Sequence, residues 1–132
     1  MKPKFRVWGN IGKEFIDYCD VRMELTTGRI YAGDMNYPGA MIDITDGVVL
    51  MQSTGLKDKN GVEIYEGDIV IAWSQGVKGT FEIKRRIDGL WLLYPAWKDG
   101  QFWYLTPTED GRETVEVIGN IYENPELMEM AE

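Results

Sequence analysis

Glycine-bearing reversals recur along this chain about every ten residues, and few folds accommodate that spacing. Asn60-Gly61, Asp88-Gly89, Asp99-Gly100 and Asp110-Gly111 each separate runs of alternating or continuous apolar residues. Asn or Asp before Gly tolerates the positive φ angles of tight turns, so such pairs join neighbouring antiparallel strands. The intervals hold strands but no full-length helices, which predicts an antiparallel barrel or sandwich.

The stretch from Met51 to Val70 shows the pattern most fully. It predicts the end of one strand, a type I′ turn at Asn60-Gly61, a short strand, and a second reversal at Glu66-Gly67-Asp68. Ile69 to Trp73 then reads as a central strand, apolar on both faces. Thr80 to Ile87 alternates, with Phe81, Ile83 and Ile87 inward, while Arg85 falls on the same apolar face, as at a bulge, a strand end or an arginine lying over an edge. Leu90 to Tyr94 ends at Pro95, which cannot donate to a ladder. Gln101 to Thr106 is closed by Pro107, and Thr114 to Ile118 follows. Asn124-Pro125-Glu126 has the form of an N-cap, a first-turn proline and a first-turn acid, predicting a short C-terminal helical turn.

The N-terminal third carries shorter pieces. Lys4 to Trp8 alternates as a strand, with Phe5 and Val7 on one face, and turns at Gly9-Asn10-Ile11-Gly12. Glu14 to Cys19 fits a strand or a short helix. Val21 to Leu25 and Arg29 to Ala32 flank Thr26-Thr27-Gly28 as a hairpin. Gly33 to Gly47, rich in Asp, Asn, Gly and Pro, reads as a long irregular connection. The expected organisation is an N-terminal subdomain over 1–47 and a β-barrel domain over 48–132 with an acidic C-terminal end.

At 132 residues the chain can bury a core without metal or disulfide staples. Its single cysteine, Cys19, excludes an intrachain disulfide and fits a reducing compartment. No apolar run reaches the roughly 20 residues of a membrane helix, and the first residues lack the apolar centre of a signal peptide. The expected location is the cytoplasm, with no membrane partner. Net charge is −8, so duplex nucleic-acid binding, which relies on a basic stripe, is disfavoured. From Glu116 onward the charged residues are all acidic, either a solubilising end or a surface that docks on a basic partner.

The chain has no histidine, so His-based proton transfer and Ser-His or Cys-His catalysis are unavailable. Gly12-Lys13 lacks the flanking residues of a phosphate loop, and no glycines have dinucleotide-binding spacing. Aligning Gly61 with the invariant glycine of a calcium loop places Leu56 and Gly67 at ligand positions, which neither can fill. Two constellations remain. Glu66 and Asp68, with Glu63 nearby, are either a carboxylate pair for Mg²⁺ or turn residues whose side chains cap backbone N–H groups. Trp91, Tyr94, Trp97, Phe102, Trp103 and Tyr104 form an aromatic cluster. Strand alternation puts Phe102 and Tyr104 on one face and Trp103 with Leu105 on the other, so the second face serves a subunit interface or a stacked ligand.

Leu50 to Val70, including Thr54-Gly55-Leu56-Lys57-Asp58-Lys59-Asn60-Gly61 and Tyr65-Glu66-Gly67-Asp68, resembles the central motif of the YopX family of phage and prophage proteins. Val115 to Leu127, with Ile118-Gly119-Asn120-Ile121-Tyr122-Glu123-Asn124-Pro125, resembles its C-terminal motif. Lys4-Phe5-Arg6-Val7-Trp8 fits its N-terminal signature, with Gly9 where an acid is often found. The resemblance implies a mainly β protein with a barrel somewhat like the Src-homology-3 type, carried by a phage or prophage of bacteria. It implies no catalytic residue.

The function expected is therefore a non-enzymatic accessory protein of the bacterial host's cytoplasm. It would act by protein–protein contact with itself or with a phage or host protein, without cofactor or metal. The interaction surface would be Trp91, Trp97, Phe102, Trp103 and Tyr104. The alternative is a nucleic-acid module that stacks bases on those aromatics, with Lys84, Arg85 and Arg86 supplying positive charge.

Overall fold

The structure, a computed structural model, describes residues 4–74, 77–98, 101–105 and 114–129. The turns expected at Gln75-Gly76, Asp99-Gly100 and Asp110-Gly111, and Pro107, lie outside the described residues. The protein is mainly β, with antiparallel sheets and one short C-terminal helix. It divides into two compact units, Arg6–Leu50 and Met1–Phe5 with Met51–Glu132.

The N-terminal unit begins with β1 (Phe5–Gly9), which pairs with the two-residue β2 (Glu14–Phe15). β3 (Asp20–Met23) and β4 (Ile30–Gly33) form the expected hairpin. Its loop closes as Glu24 N–H donates to Arg29 O and Gly28 N–H donates to Glu24 O, with Gly28 at φ +77°. Contrary to expectation, Gly33 to Gly47 is ordered structure. It contains two 3-10 turns, at Pro38–Ala40 and Thr45–Gly47, around β5 (Ile42–Asp43), which pairs with β4. Short side-chain hydrogen bonds replace apolar periodicity there, as Asp34 Oδ1 accepts from Asn36 N–H and Thr45 Oγ1 accepts from Ile30 N–H. Val7 and Trp8 are both buried and Phe5 is exposed, so β1 does not alternate as its sequence suggests.

β6 (Val48–Lys57) runs on into the larger unit, where it pairs with β7 (Glu63–Tyr65). There β8 (Asp68–Ser74), β9 (Val77–Arg85), β10 (Trp91–Lys98), β11 (Gln101–Tyr104) and β12 (Val115–Asn120) form a curled five-stranded antiparallel sheet, ordered β11-β10-β9-β8-β12, as a half-barrel. α1 (Glu126–Glu129) lies against β9. The core of this unit is Ile64, Val70, Ala72, Phe81, Ile83, Leu93, Leu105 and Val115, each contributing roughly 1.5–3 kcal/mol if large and fully withdrawn from water. Ile69, on the opposite face of β8 from Val70, is also fully buried, as a two-faced apolar strand requires.

Three local readings change, those of Asn60-Gly61, Ile87 and Pro95, while Arg85 takes the strand-end place open to it. The Asn60-Gly61 reversal is a three-residue loop, not a type I′ turn. Gly61 takes φ +85° while Asn60 keeps a negative φ, and Asp58 N–H donates to Val62 O at 2.7 Å. The Arg86–Leu90 loop closes the same way, so Ile87 sits at its tip in solvent and not in the core. Arg85 ends β9, with Nη1 3.3 Å from Gln52 Oε1. Pro95 does not end its strand. The β9 ladder stops at Tyr94 and the β11 ladder skips between Leu93 and Lys98, so the N–H that proline lacks has no ladder partner to lose.

Candidate functional site

The aromatic cluster divides between two faces. Trp91 and Trp103 pack against the core of the larger unit, and the Trp103 ring meets Phe81 at 5.5 Å between centroids. Tyr94 and Tyr104 stand on the outer face, where cations cover them. Lys84 Nζ lies 4.0 Å from the Tyr94 ring centroid, and Arg86 Nη1 donates to the Tyr104 hydroxyl. The side chains of Trp97 and Phe102 lie outside the described residues. Strand register explains the division: Leu93 pairs with both Ile83 and Trp103, so these three share the inner face.

The acids of the central stretch also take separate places. Asp68 is buried, and its Oδ2 accepts from Tyr65 N–H at 2.8 Å, the capping role that turn chemistry predicts. Glu66 faces elsewhere. It adds to the negative field at Glu82 and Tyr122, whose ionisation burial pushes upward. Glu63 joins Lys4 at 2.9 Å and accepts from the Ser53 hydroxyl, and these contacts hold its carboxyl below the usual range, the hydroxyl most strongly. No group of three potential ligands gathers for a metal among the described residues.

The feature that sequence reasoning missed lies in the N-terminal unit. A cleft of about 510 Å³ is lined by β1, β2, β5 and the residues around them, Ile11, Ile16, Tyr18, Ile44 and Val48 among them. Gly9, Gly12 and Gly47 also line it. Asn10 N–H donates to Gly47 O at 2.9 Å, and Lys13, at φ 54°, folds the loop so that its N–H donates to Gly9 O. A Cβ on Gly9 would meet Ile16 Cδ1 at 3.4 Å, one on Gly12 would meet Glu14 Oε1 at 3.3 Å and one on Gly47 would meet Ile11 Cδ1 at 3.8 Å, so neighbouring side chains already stand beside these glycines.

Charge in the cleft is unequal. Arg29 pairs with Asp43, Nη2 to Oδ2 at 2.8 Å, and Asp43 Oδ1 also accepts from Thr45 Oγ1 and Thr45 N–H. Both Asp43 oxygens are thus engaged. Glu14 and Asp46 have no ion pair among the described residues. No sequence motif marks this site, because its members come from three separate stretches, residues 9–18, Arg29 and residues 43–48.

Residues 4–129 match the family profile described as "YopX protein". The chain belongs to the YopX family. A solved structure, the crystal structure of protein EF1440 from Enterococcus faecalis, is similar at 30% identity and a TM-score of 0.53. The match covers 97% of this chain and 99% of that one. No match was found among curated proteins.

In this YopX chain the two long motifs form a scaffold. Asp58 Oδ1 accepts from the N–H groups of Asn60 and Val62, and Oδ2 accepts from Val117 N–H at 3.0 Å. One carboxylate thereby joins the central motif to the C-terminal one. Asn120 Oδ1 accepts from Tyr122 N–H and Glu123 N–H. Asn124 turns its side chain back on β12, where a Cβ at Gly119 would meet Asn124 Oδ1 at 2.4 Å.

The Arg29–Asp43 contact at the cleft predicts a pH dependence. Hydrogen bonds from Thr45, then from Arg29, lower the Asp43 pKa from 3.8 to about 2. Because the folded value is depressed, the stabilisation is present above about pH 4 and disappears as pH falls towards 2. The gap in melting temperature between wild type and Asp43→Asn should therefore narrow from pH 6 to pH 2. An unchanged gap would show that the carboxylate's charge contributes nothing.

Proposed function

We propose that this YopX chain is a non-enzymatic phage or prophage accessory protein of the bacterial cytoplasm, acting by protein–protein contact and self-associating. One observation carries the reading. In the N-terminal unit Ile11, Tyr18, Leu25, Met35, Tyr37 and Ile42 are each more than half exposed, many large apolar side chains for a piece of this size. Covering such side chains against a second copy would withdraw them from water. Contact through this unit is preferred to a base-stacking platform on the larger one, because Trp91 and Trp103 pack inward and cations already cover Tyr94 and Tyr104.

The test is light scattering coupled to gel filtration at micromolar concentration. The expected mass exceeds that of a 15.2 kDa monomer. Leu25→Asp together with Tyr37→Asp should return it to the monomer with little change in melting temperature, since both side chains are exposed. A wild type that stays monomeric would remove self-association. A double variant that stays associated would move the interface away from this surface.

A further inference from the structure

We infer that the N-terminal cleft is a docking site for a basic side chain flanked by apolar residues on a partner protein. The inference deepens the contact reading above, and rests on it only in taking a protein as the source of the ligand.

Size, lining and charge point to the same ligand. A volume of about 510 Å³ lies within the range of formed ligand pockets and holds more than one side chain. Ile11, Ile16, Ile44 and Val48 supply apolar walls, with Ile11 91% exposed beside the opening. Glu14, Asp43 and Asp46 oppose the single guanidinium of Arg29, which Asp43 already neutralises, so an entering group meets the negative charge of Glu14 and Asp46. A lysine or arginine suits such a place. Its methylene stem lies along apolar walls while its charged end reaches the carboxylates. The free carboxylates of the cleft favour a lysine- or arginine-bearing partner by charge complementarity.

The experiment is a titration of the ¹⁵N-labelled full chain with acetyl-Leu-Lys-Leu-amide, read at the amides of Gly9, Gly12 and Gly47. Saturable shifts at these glycines are expected, with Glu14→Gln plus Asp46→Asn weakening binding about tenfold while leaving the far-UV spectrum unchanged. The matched peptide with Gln for Lys should bind about tenfold more weakly. The proposal is overturned if the lysine peptide moves none of these amides at millimolar concentration, or if the Gln peptide binds equally well. It is also overturned if a Glu peptide binds better, or if spermidine matches the lysine peptide, which would reduce the site to non-specific charge. A monomeric wild type in the scattering experiment leaves this titration intact, and failure here leaves self-association intact.

Discussion

Asp58→Ala is expected to lower stability by about 4 kcal/mol. Asp58 is fully buried, and its two oxygens accept from three backbone N–H groups, those of Asn60, Val62 and Val117. Alanine removes all three acceptors at once. Asn60 is exposed and can turn to water, whereas the Val117 N–H lies half-buried in β12. Hydrogen bonds to a charged acceptor contribute roughly 1.5–3 kcal/mol each, and a stranded buried donor costs about 1–3 kcal/mol. Thermal and urea unfolding followed by circular dichroism should show a fall in melting temperature on the order of 10 °C. Asp58→Asn should recover only part of the loss, because one side of the amide presents N–H groups to backbone donors. A loss below about 1 kcal/mol for the alanine variant would mean that water replaces the carboxylate, and the link between the two motifs would then be incidental.

Gly67→Val is expected to cost about 3–4 kcal/mol, for two separable reasons. Gly67 sits at φ +86°, a conformation that costs a side-chain-bearing residue roughly 1–2 kcal/mol and a β-branched one more. It is also enclosed. A Cβ there would lie 3.7 Å from Tyr122, 3.8 Å from Ile121 and 3.9 Å from Met51, so Ala fits but the two γ-carbons of Val do not. Its backbone is engaged on both sides, with N–H donating to Ile83 O and O accepting from Ile121 N–H. Gly67→Ala therefore isolates the backbone cost, and the step from Ala to Val isolates the packing cost of about 1–3 kcal/mol. Equal stability of the Ala and Val variants would show that the pocket around Gly67 yields easily. Full stability of both would overturn the turn geometry itself.

These two residues stand in the stretch where sequence reasoning went furthest. Gly67 and Gly61 were legible as turn glycines because a positive φ leaves few choices of residue. Asp68 was legible as a cap because short acids in turns reach nearby N–H groups. Asp58 was not, since its third partner, Val117, lies 59 residues away. Ile87 and Pro95 misled for a related reason. The periodicity of Thr80 to Ile87 says which side chains alternate but not where the ladder stops, and Pro95 breaks a strand only where its missing N–H faces a partner.

The cleft stands at the other extreme. Ile11, Glu14, Arg29, Asp43 and Asp46 are unremarkable in their own segments, and no motif unites them. Periodicity and turn chemistry act over a few residues, so they determined by themselves that this chain is an antiparallel β protein, where its glycines turn, and which catalytic chemistries its composition excludes. Tertiary structure alone decided that Trp91 and Trp103 face the core, and that three separate stretches leave an acidic cleft. Strand register and chain closure place those groups, and both are properties of pairs of segments far apart in sequence.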